Sequence, residues 1–171
     1  MKKTFFIGCT HFNHTNIIKY CNRPFSSVEE MNQTLIYNWN IKVREDDDIY
    51  VLGDFALCCT PDWAGDLLKN LHGTKFLILG NHDSRLKRYS VFKDQFIFIK
   101  QRYIIPDFLG SNILLTHSKT FCSSDSNWHV NLYCHNHAKT NEFTKSNGKI
   151  FYNIGVDGNN FSPVNIDDIW G

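Results

Sequence analysis

The chain is predicted to fold as an α/β sandwich with mixed sheets, and three observations carry that prediction. Six short apolar runs have strand character, and most of them stop at a glycine or a histidine. Two helix patterns separate the first three runs, so a β-α-β-α-β order with parallel strands is expected at the front. The later runs follow one another without a long helical period, so hairpins are expected at the back. A chain of 171 residues is long enough for one domain with a substantial core and too short for two such domains.

The first strand candidate is residues 4–7, where Thr4, Phe5, Phe6 and Ile7 end at Gly8. β-Branched and aromatic residues in a short unbroken run suit a strand buried on both faces. Ser27 and Glu30 then form a capping-box pattern, and Val28, Met31, Leu35 and Trp39 recur at three- and four-residue steps as an apolar helix stripe. The acidic run 45–48 reads as a solvated loop leading to a second strand at 48–52, which stops at Gly53-Asp54. Thr60 and Pro61 supply an N-cap and first-turn proline, Ala64, Leu67, Leu68 and Leu71 a buried face, and Gly73 a stop. The remaining strands are expected at 75–79, 112–116, 130–133 and 150–154, with a polar surface loop over 120–127.

Composition narrows the function classes. Eighteen Lys and Arg against seventeen Asp and Glu give a net charge of +1, too even a balance for a field that gathers nucleic acid. Arg85, Lys87 and Arg88 read as a solvated basic face. No apolar run approaches the roughly 18 residues that span a bilayer, and the N-terminal apolar run is too brief for a signal peptide, so a soluble cytoplasmic protein is expected. The six cysteines form no C-x-x-C pair, and reduced thiols are expected. Cys21, Cys58 and Cys59 are assigned to apolar packing.

The chemistry-bearing residues follow the strands. Cys9 and His11, Asp54, Asn81 and His82, His117, and His135 and His137 sit after five separate runs. One histidine after a strand is ordinarily a hydrogen-bonded structural residue. Five strand ends meeting at one sheet edge would bury many polar groups together, and a bound ion compensates that cost. Eight candidates exceed the four that a tetrahedral zinc takes and suit two ions sharing a bridge. Asp54 is the only carboxylate among the candidate ligands, and its two oxygens make it the natural bridge. Two ions about 3.5–4 Å apart can activate a bridging hydroxide and stabilise in-line displacement at phosphorus, so phosphoester hydrolysis is the reaction class suggested.

The blocks Cys9-Thr10-His11-Phe12-Asn13-His14, Gly53-Asp54-Phe55, Gly80-Asn81-His82-Asp83, Thr116-His117-Ser118 and Cys134-His135-Asn136-His137 run in an informative order. In them the chain resembles the calcineurin-like metallophosphoesterases, especially small bacterial and bacteriophage members. Cys21-Asn22-Arg23-Pro24-Phe25 and Asn153-Ile154-Gly155-Val156-Asp157 extend the resemblance over nearly the whole chain. It implies a single domain over 1–171 and a four-layer α/β/β/α sandwich with two mixed β-sheets. It also implies that His11, Asp54 and His137 hold a first metal and that Asp54, Asn81, His117 and His135 hold a second. His82 would protonate the leaving oxygen or stabilise charge on the phosphate. Asp83 would orient His82 or serve as a turn residue. Arg23 and His14 would reach substrate phosphate, with a turn-bracing role as the alternative for Arg23.

Two departures stand out. Cys9 occupies a position where the family has Asp; as a thiolate ligand it favours zinc or iron over harder ions, and as a plain buried thiol it leaves the first site weakened. Cys134 stands where the family has Gly: a positive φ there would strain the chain, whereas a strand-like φ would turn the thiol harmlessly away from His135. The activity implied is a manganese-, zinc- or iron-dependent phosphodiesterase acting on a phosphate ester, with nucleotide-derived esters among the candidates. The alternative is a weakened phosphoesterase scaffold that serves as a binding module. A protein phosphatase fits less well, because Asp54 is followed by Phe55-Ala56-Leu57 rather than Asp-Arg-Gly.

Overall fold

The computed structural model describes residues 1–108, 110–122, 127–140 and 143–170. Its first strand, β1 (Thr4–Ile7), alternates between two cores: Phe5 and Ile7 face a cluster shared with helices, and Phe6 faces a cluster shared with a second sheet. That double burial explains the unbroken apolar run. β2 (Asp48–Val51) and β3 (Thr74–Ile78) behave alike, with Ile49, Val51 and Leu77 toward the helices and Leu52 and Ile78 toward the other sheet.

The crossovers form as the sequence predicts. α1 (Thr15–Tyr20) is short; α2 (Val28–Lys42) buries Met31, Leu35 and Trp39, and α3 (Pro61–Asn70) buries Ala64, Leu67 and Leu68. The Ser27 hydroxyl accepts from the Glu30 N–H, and the Thr60 hydroxyl accepts from the Trp63 N–H, each satisfying an otherwise orphaned helix donor. A short helix, α4 (Ser90–Lys93), adds Phe92 to the same core. β1, β2 and β3 are mutually parallel, and the first sheet is completed by β4 (Ile99–Lys100), parallel to β3, and by β10 (Val164–Asn165), antiparallel to β1.

The second sheet has the order β5 (Arg102–Phe108), β6 (Ser111–Thr116), β7 (Val130–Tyr133), β9 (Lys149–Asn153), β8 (Thr144–Ser146). Hairpins join only its outer pairs, β5–β6 and β8–β9; β6, β7 and β9 run parallel. The expectation of a hairpin-built back half is corrected accordingly. Parallel pairing turns the carboxyl ends of all three inner strands toward one edge. The inner faces of the two sheets share a core of Phe6, Leu52, Ile78, Ile113, Leu115 and Leu132, among others, to which α5 (Ile166–Trp170) adds Ile166 and Ile169. On the outer face of the second sheet the layer is thin: Lys119, in a one-turn 3-10 segment, lies over the Tyr133 and Phe151 rings, and Trp128 packs edge-on against Phe151.

One loop expectation changes, and another falls partly outside the described residues. Of the polar stretch 120–127, residues 123–126 lie outside the described residues. In the acidic run Asp47 is buried, accepting from the N–H groups of Lys3 and Arg44 at 2.8 and 2.9 Å, so it ties a turn to the N-terminus.

Candidate metal centre

The parallel strands of both sheets end at one edge, where Gly8 pairs with Gly155 across the sandwich. The loops that follow interlock through their backbones: Cys9 N–H donates to Gly53 C=O, His11 N–H to Asp54 C=O, and Phe12 N–H to Phe55 C=O, at 2.8–3.0 Å. Such close approach demands unusual geometry. Cys9, His11, Asn13, Asp54 and His137 all have φ between 50° and 63°, a conformation costing on the order of 1 kcal/mol each and found where a site is over-determined by its surroundings. Gly80 is required for the same reason, since a Cβ there would lie 2.3 Å from Asp54 Oδ1.

Asp83 fixes this arrangement. Its buried carboxylate accepts from the N–H groups of Gly80, Asp54 and Phe55 at 2.8, 2.9 and 3.0 Å. Burial pushes its carboxyl pKa up, against the pull of those backbone donors. Of its two expected roles, the turn residue is the one found, and it sets the position of Asp54.

Two groups of side chains converge around Asp54. The ligand-type atoms of Cys9, His11 and His137 lie within 4.8 Å of one another, as do those of Asp54, His117 and His135. Asp54 Oδ2 stands between them, 3.6 Å from His11 Nε2 and 3.3 Å from His117 Nε2. His117 Nδ1–H donates to Leu52 C=O at 2.8 Å, which turns Nε2 toward Asp54 and His135 Nδ1, 2.9 Å away. His11 is only 3% exposed, yet neither ring nitrogen has a hydrogen-bond partner. A buried imidazole with two unmade bonds is costly. A cation beside Cys9, Asp54 and His137 would take up the lone pair of one of those nitrogens, so the residues present fit a bound metal.

The electrostatics of the metal-free groups differ from one to the next. Burial lowers His11 to about 3, despite the opposing pull of Asp54, so its ring stays neutral with a lone pair to give. Burial also works against charge on Asp54, but hydrogen bonding and attraction from His117 outweigh it and hold the carboxyl well below its usual range. His117 and His137 are raised to about 9, their burial overcome chiefly by Asp54 and by Asp157 respectively. Burial pushes the Cys9 thiol well up, and its contact with Cys134 adds to this.

The remaining expected residues divide. Asn81 and His82 lie on the exposed loop after β3; the His82 N–H donates to Asp54 Oδ1 at 2.9 Å, and its ring centroid is 5.6 Å from that of His11. His14, the residue preceding α1, has its ring 5.8 Å from His11. Arg23 is corrected: its side chain is fully enclosed and hydrogen-bonds Asp157, the carbonyls of Cys9 and Thr10, and Met31 Sδ, which leaves it no donor for a phosphate. Asp157, given no role from sequence, accepts from His137 Nδ1–H at 2.8 Å. Only its place in the motif after β9 hinted at it.

Among the cysteines, Cys134 has no positive φ, so the strand-like alternative is the one found. Its thiol turns into the inter-sheet core, donating to Leu52 C=O at 3.0 Å and lying 3.4 Å from His117 Nδ1, in space left open because Gly8 has no Cβ. Cys21 and Cys59 pack against the helical core, and Cys21 also lies beside His137 and Asp157. Cys58 is exposed, 4.0 Å from His14 Nδ1, contrary to the packing role expected. Among the described residues no helix is long and apolar enough to cross a membrane.

Comparison with known proteins places this arrangement. An uncharacterised protein of Methanocaldococcus jannaschii is 39% identical over 171 residues, covering 98% of this chain and 89% of that one. The gene 66 protein of Mycobacterium phage L5 is 34% identical over 85 residues, 48% of this chain and 41% of that protein. A crystal structure of a protein of unknown function from Aquifex aeolicus has the same fold, with a TM-score of 0.76 over 99% of this chain and 98% of that one at 23% identity. The family model described as calcineurin-like phosphoesterase matches residues 2–165, and with the shared fold it establishes that the chain belongs to the calcineurin-like phosphoesterase family.

Proposed function

We propose that this metal-dependent phosphoesterase is a dinuclear phosphodiesterase. The observation that carries the reading is His11, enclosed without a partner for either nitrogen, between Cys9 and His137 on one side and Asp54 on the other. Cys9, His11, Asp54 and His137 hold one ion; Asp54, Asn81, His117 and His135 hold the other. When bound, two such ions supply a water activated for in-line attack on phosphorus and neutralise charge on the phosphoryl oxygens.

The protein's own groups do the rest. Asp83 fixes the backbone of Asp54, so the shared carboxylate is preorganised before substrate arrives. His82 stands at the exposed side, where an imidazole can give a proton to the departing oxygen. His14 flanks the same face and contacts the ester. Arg23, the buried guanidinium beside the centre, is committed internally and adds no positive charge to that face. A singly charged diester therefore suits the site better than a doubly charged monoester.

Bis(p-nitrophenyl) phosphate and p-nitrophenyl phosphate, offered to protein loaded in turn with manganese, zinc and iron, test the proposal. Turnover of the diester is expected to exceed that of the monoester, with about two metals per chain by elemental analysis. His82→Ala should lower kcat about 10²- to 10⁴-fold with metal content unchanged. No diester turnover with any of the three metals, or a His82→Ala enzyme as active as the parent, overturns the reading.

A further inference from the structure

Arg23 and Asp157 are 134 positions apart and form an ion pair with both side chains fully enclosed. Arg23 Nε and Nη2 donate to the two carboxylate oxygens at 2.9 and 3.0 Å. Its other donors reach Thr10 C=O at 2.9 Å, Cys9 C=O at 2.7 Å and Met31 Sδ at 3.3 Å. Asp157 Oδ2 also accepts from His137 Nδ1–H at 2.8 Å. A buried ion pair is by itself weak grounds for a stabilising role, since apolar residues of similar volume often serve as well. What an apolar pair could not do is join these particular groups.

Cys9 and Thr10 follow the first sheet, and His137 follows the second. Those are the two sides of one group of ligand-type atoms. With Nδ1–H committed to Asp157, the neutral His137 ring carries its lone pair on Nε2. With its carbonyl held by Arg23, Cys9 is kept in its left-handed conformation. The second group has separate supports, Leu52 C=O behind His117 and Asp83 behind Asp54.

We propose that Asp157 is a positioning residue for the first ion alone, acting through His137, and that Arg23 locks Asp157 to the Cys9 loop. The proposal rests on the two-ion reading and is tested so that the two can fail separately. Cobalt(II) is titrated into the metal-free full chain while bound cobalt and the thiolate-to-cobalt charge-transfer absorption contributed by Cys9 are followed. Wild type is expected to take two ions with that absorption; one ion or none overturns the two-ion reading itself, and two ions without the band overturn Cys9 as a ligand.

Asp157→Asn keeps an acceptor oxygen and loses the charge. It is expected to weaken the first ion about 10- to 100-fold and carry the thiolate band to higher cobalt, with the second ion unaffected. Arg23→Lys, which keeps the charge but loses the fork, should shift the band in the same direction. Retention of the second ion serves as the internal measure of folding. Unchanged titrations, or equal weakening of both ions in both variants, overturn the positioning role.

Discussion

The two halves of the centre share one carboxylate and differ in almost everything else. Cys9, His11 and His137 form a closed half, with Cys9 and His11 buried and a fully enclosed Arg–Asp pair behind. Asp54, His117 and His135 form a more open half, where His135 is exposed and a backbone carbonyl orients His117. Closure and a sulfur donor favour a soft, slowly exchanging ion, whereas an open imidazole and carboxylate set favours one that exchanges and meets substrate. In the two-ion reading, the centre therefore pairs a retained ion with a labile one.

The harshest way to break that comparison is to remove what the halves share. Asp54→Asn eliminates the central charge while keeping the side chain's size. Both ions should weaken together, and diester hydrolysis should fall about 10³-fold or more. Elemental analysis alongside kinetics checks this. Retention of one ion at parental affinity would show that the carboxylate belongs to one half only.

Cys9→Asp sharpens the comparison instead. It replaces the soft donor with a hard one, so the zinc-to-manganese preference of the closed half should drop about tenfold, measured by competition against a chelator. The backbone should tolerate the change, because Asp adopts the left-handed region more readily than most residues. Without metal, a carboxylate held against the Cys134 thiol in the inter-sheet core is poorly solvated, so the metal-free variant should melt below the parent while the loaded one recovers. An unchanged metal preference would mean that Cys9 packs but does not coordinate.

The same contrast between enclosed and open regions governs what the sequence reveals. The six strands expected from it are the inner strands β1, β2, β3, β6, β7 and β9, and the four it missed, β4, β5, β8 and β10, are the edges of the two sheets. Inner strands are buried on both faces and read as continuous apolar runs. Edges do not: β5 contains Arg102, Pro106 and Asp107, β8 is Thr144-Lys145-Ser146 and wholly exposed, and β4 and β10 have two residues each. At the site, the imidazoles were legible because each follows a strand. Asp157 had no role from sequence, and for Arg23 and Asp83 a structural role stood only as one of two alternatives, because a carboxylate or guanidinium that braces a neighbour looks the same in sequence as one facing solvent. Only pairings such as that of residues 23 and 157 separate the two.

The mildest test concerns protons. In the metal-free protein, burial lowers His117 and His137, but Asp54 and Asp157 outweigh it and bring each to about 9. Near neutral pH both rings are therefore charged, and burial keeps Cys9 as a thiol. His11, lowered to about 3 by burial, is already neutral. Filling both halves at pH 7.5 should thus release about three protons per chain, two from imidazolium and one from the thiol. Calorimetric titration in buffers of different ionisation enthalpy measures that number. The linked stability has a definite sign. The two raised histidines contribute stability that is fully present below their unfolded value near 6.5 and disappears as pH climbs through about 9. His11 contributes stability that is present above 6.5 and disappears as pH falls toward 3. Metal-free protein should therefore melt lower at pH 9.5 than at pH 7, whereas between pH 7 and pH 5 the loss from His11 and the remaining gain from the two raised histidines nearly cancel. Release of less than about one proton, with a melting temperature flat from pH 7 to 9.5, would mean that neither imidazolium is held by its carboxylate.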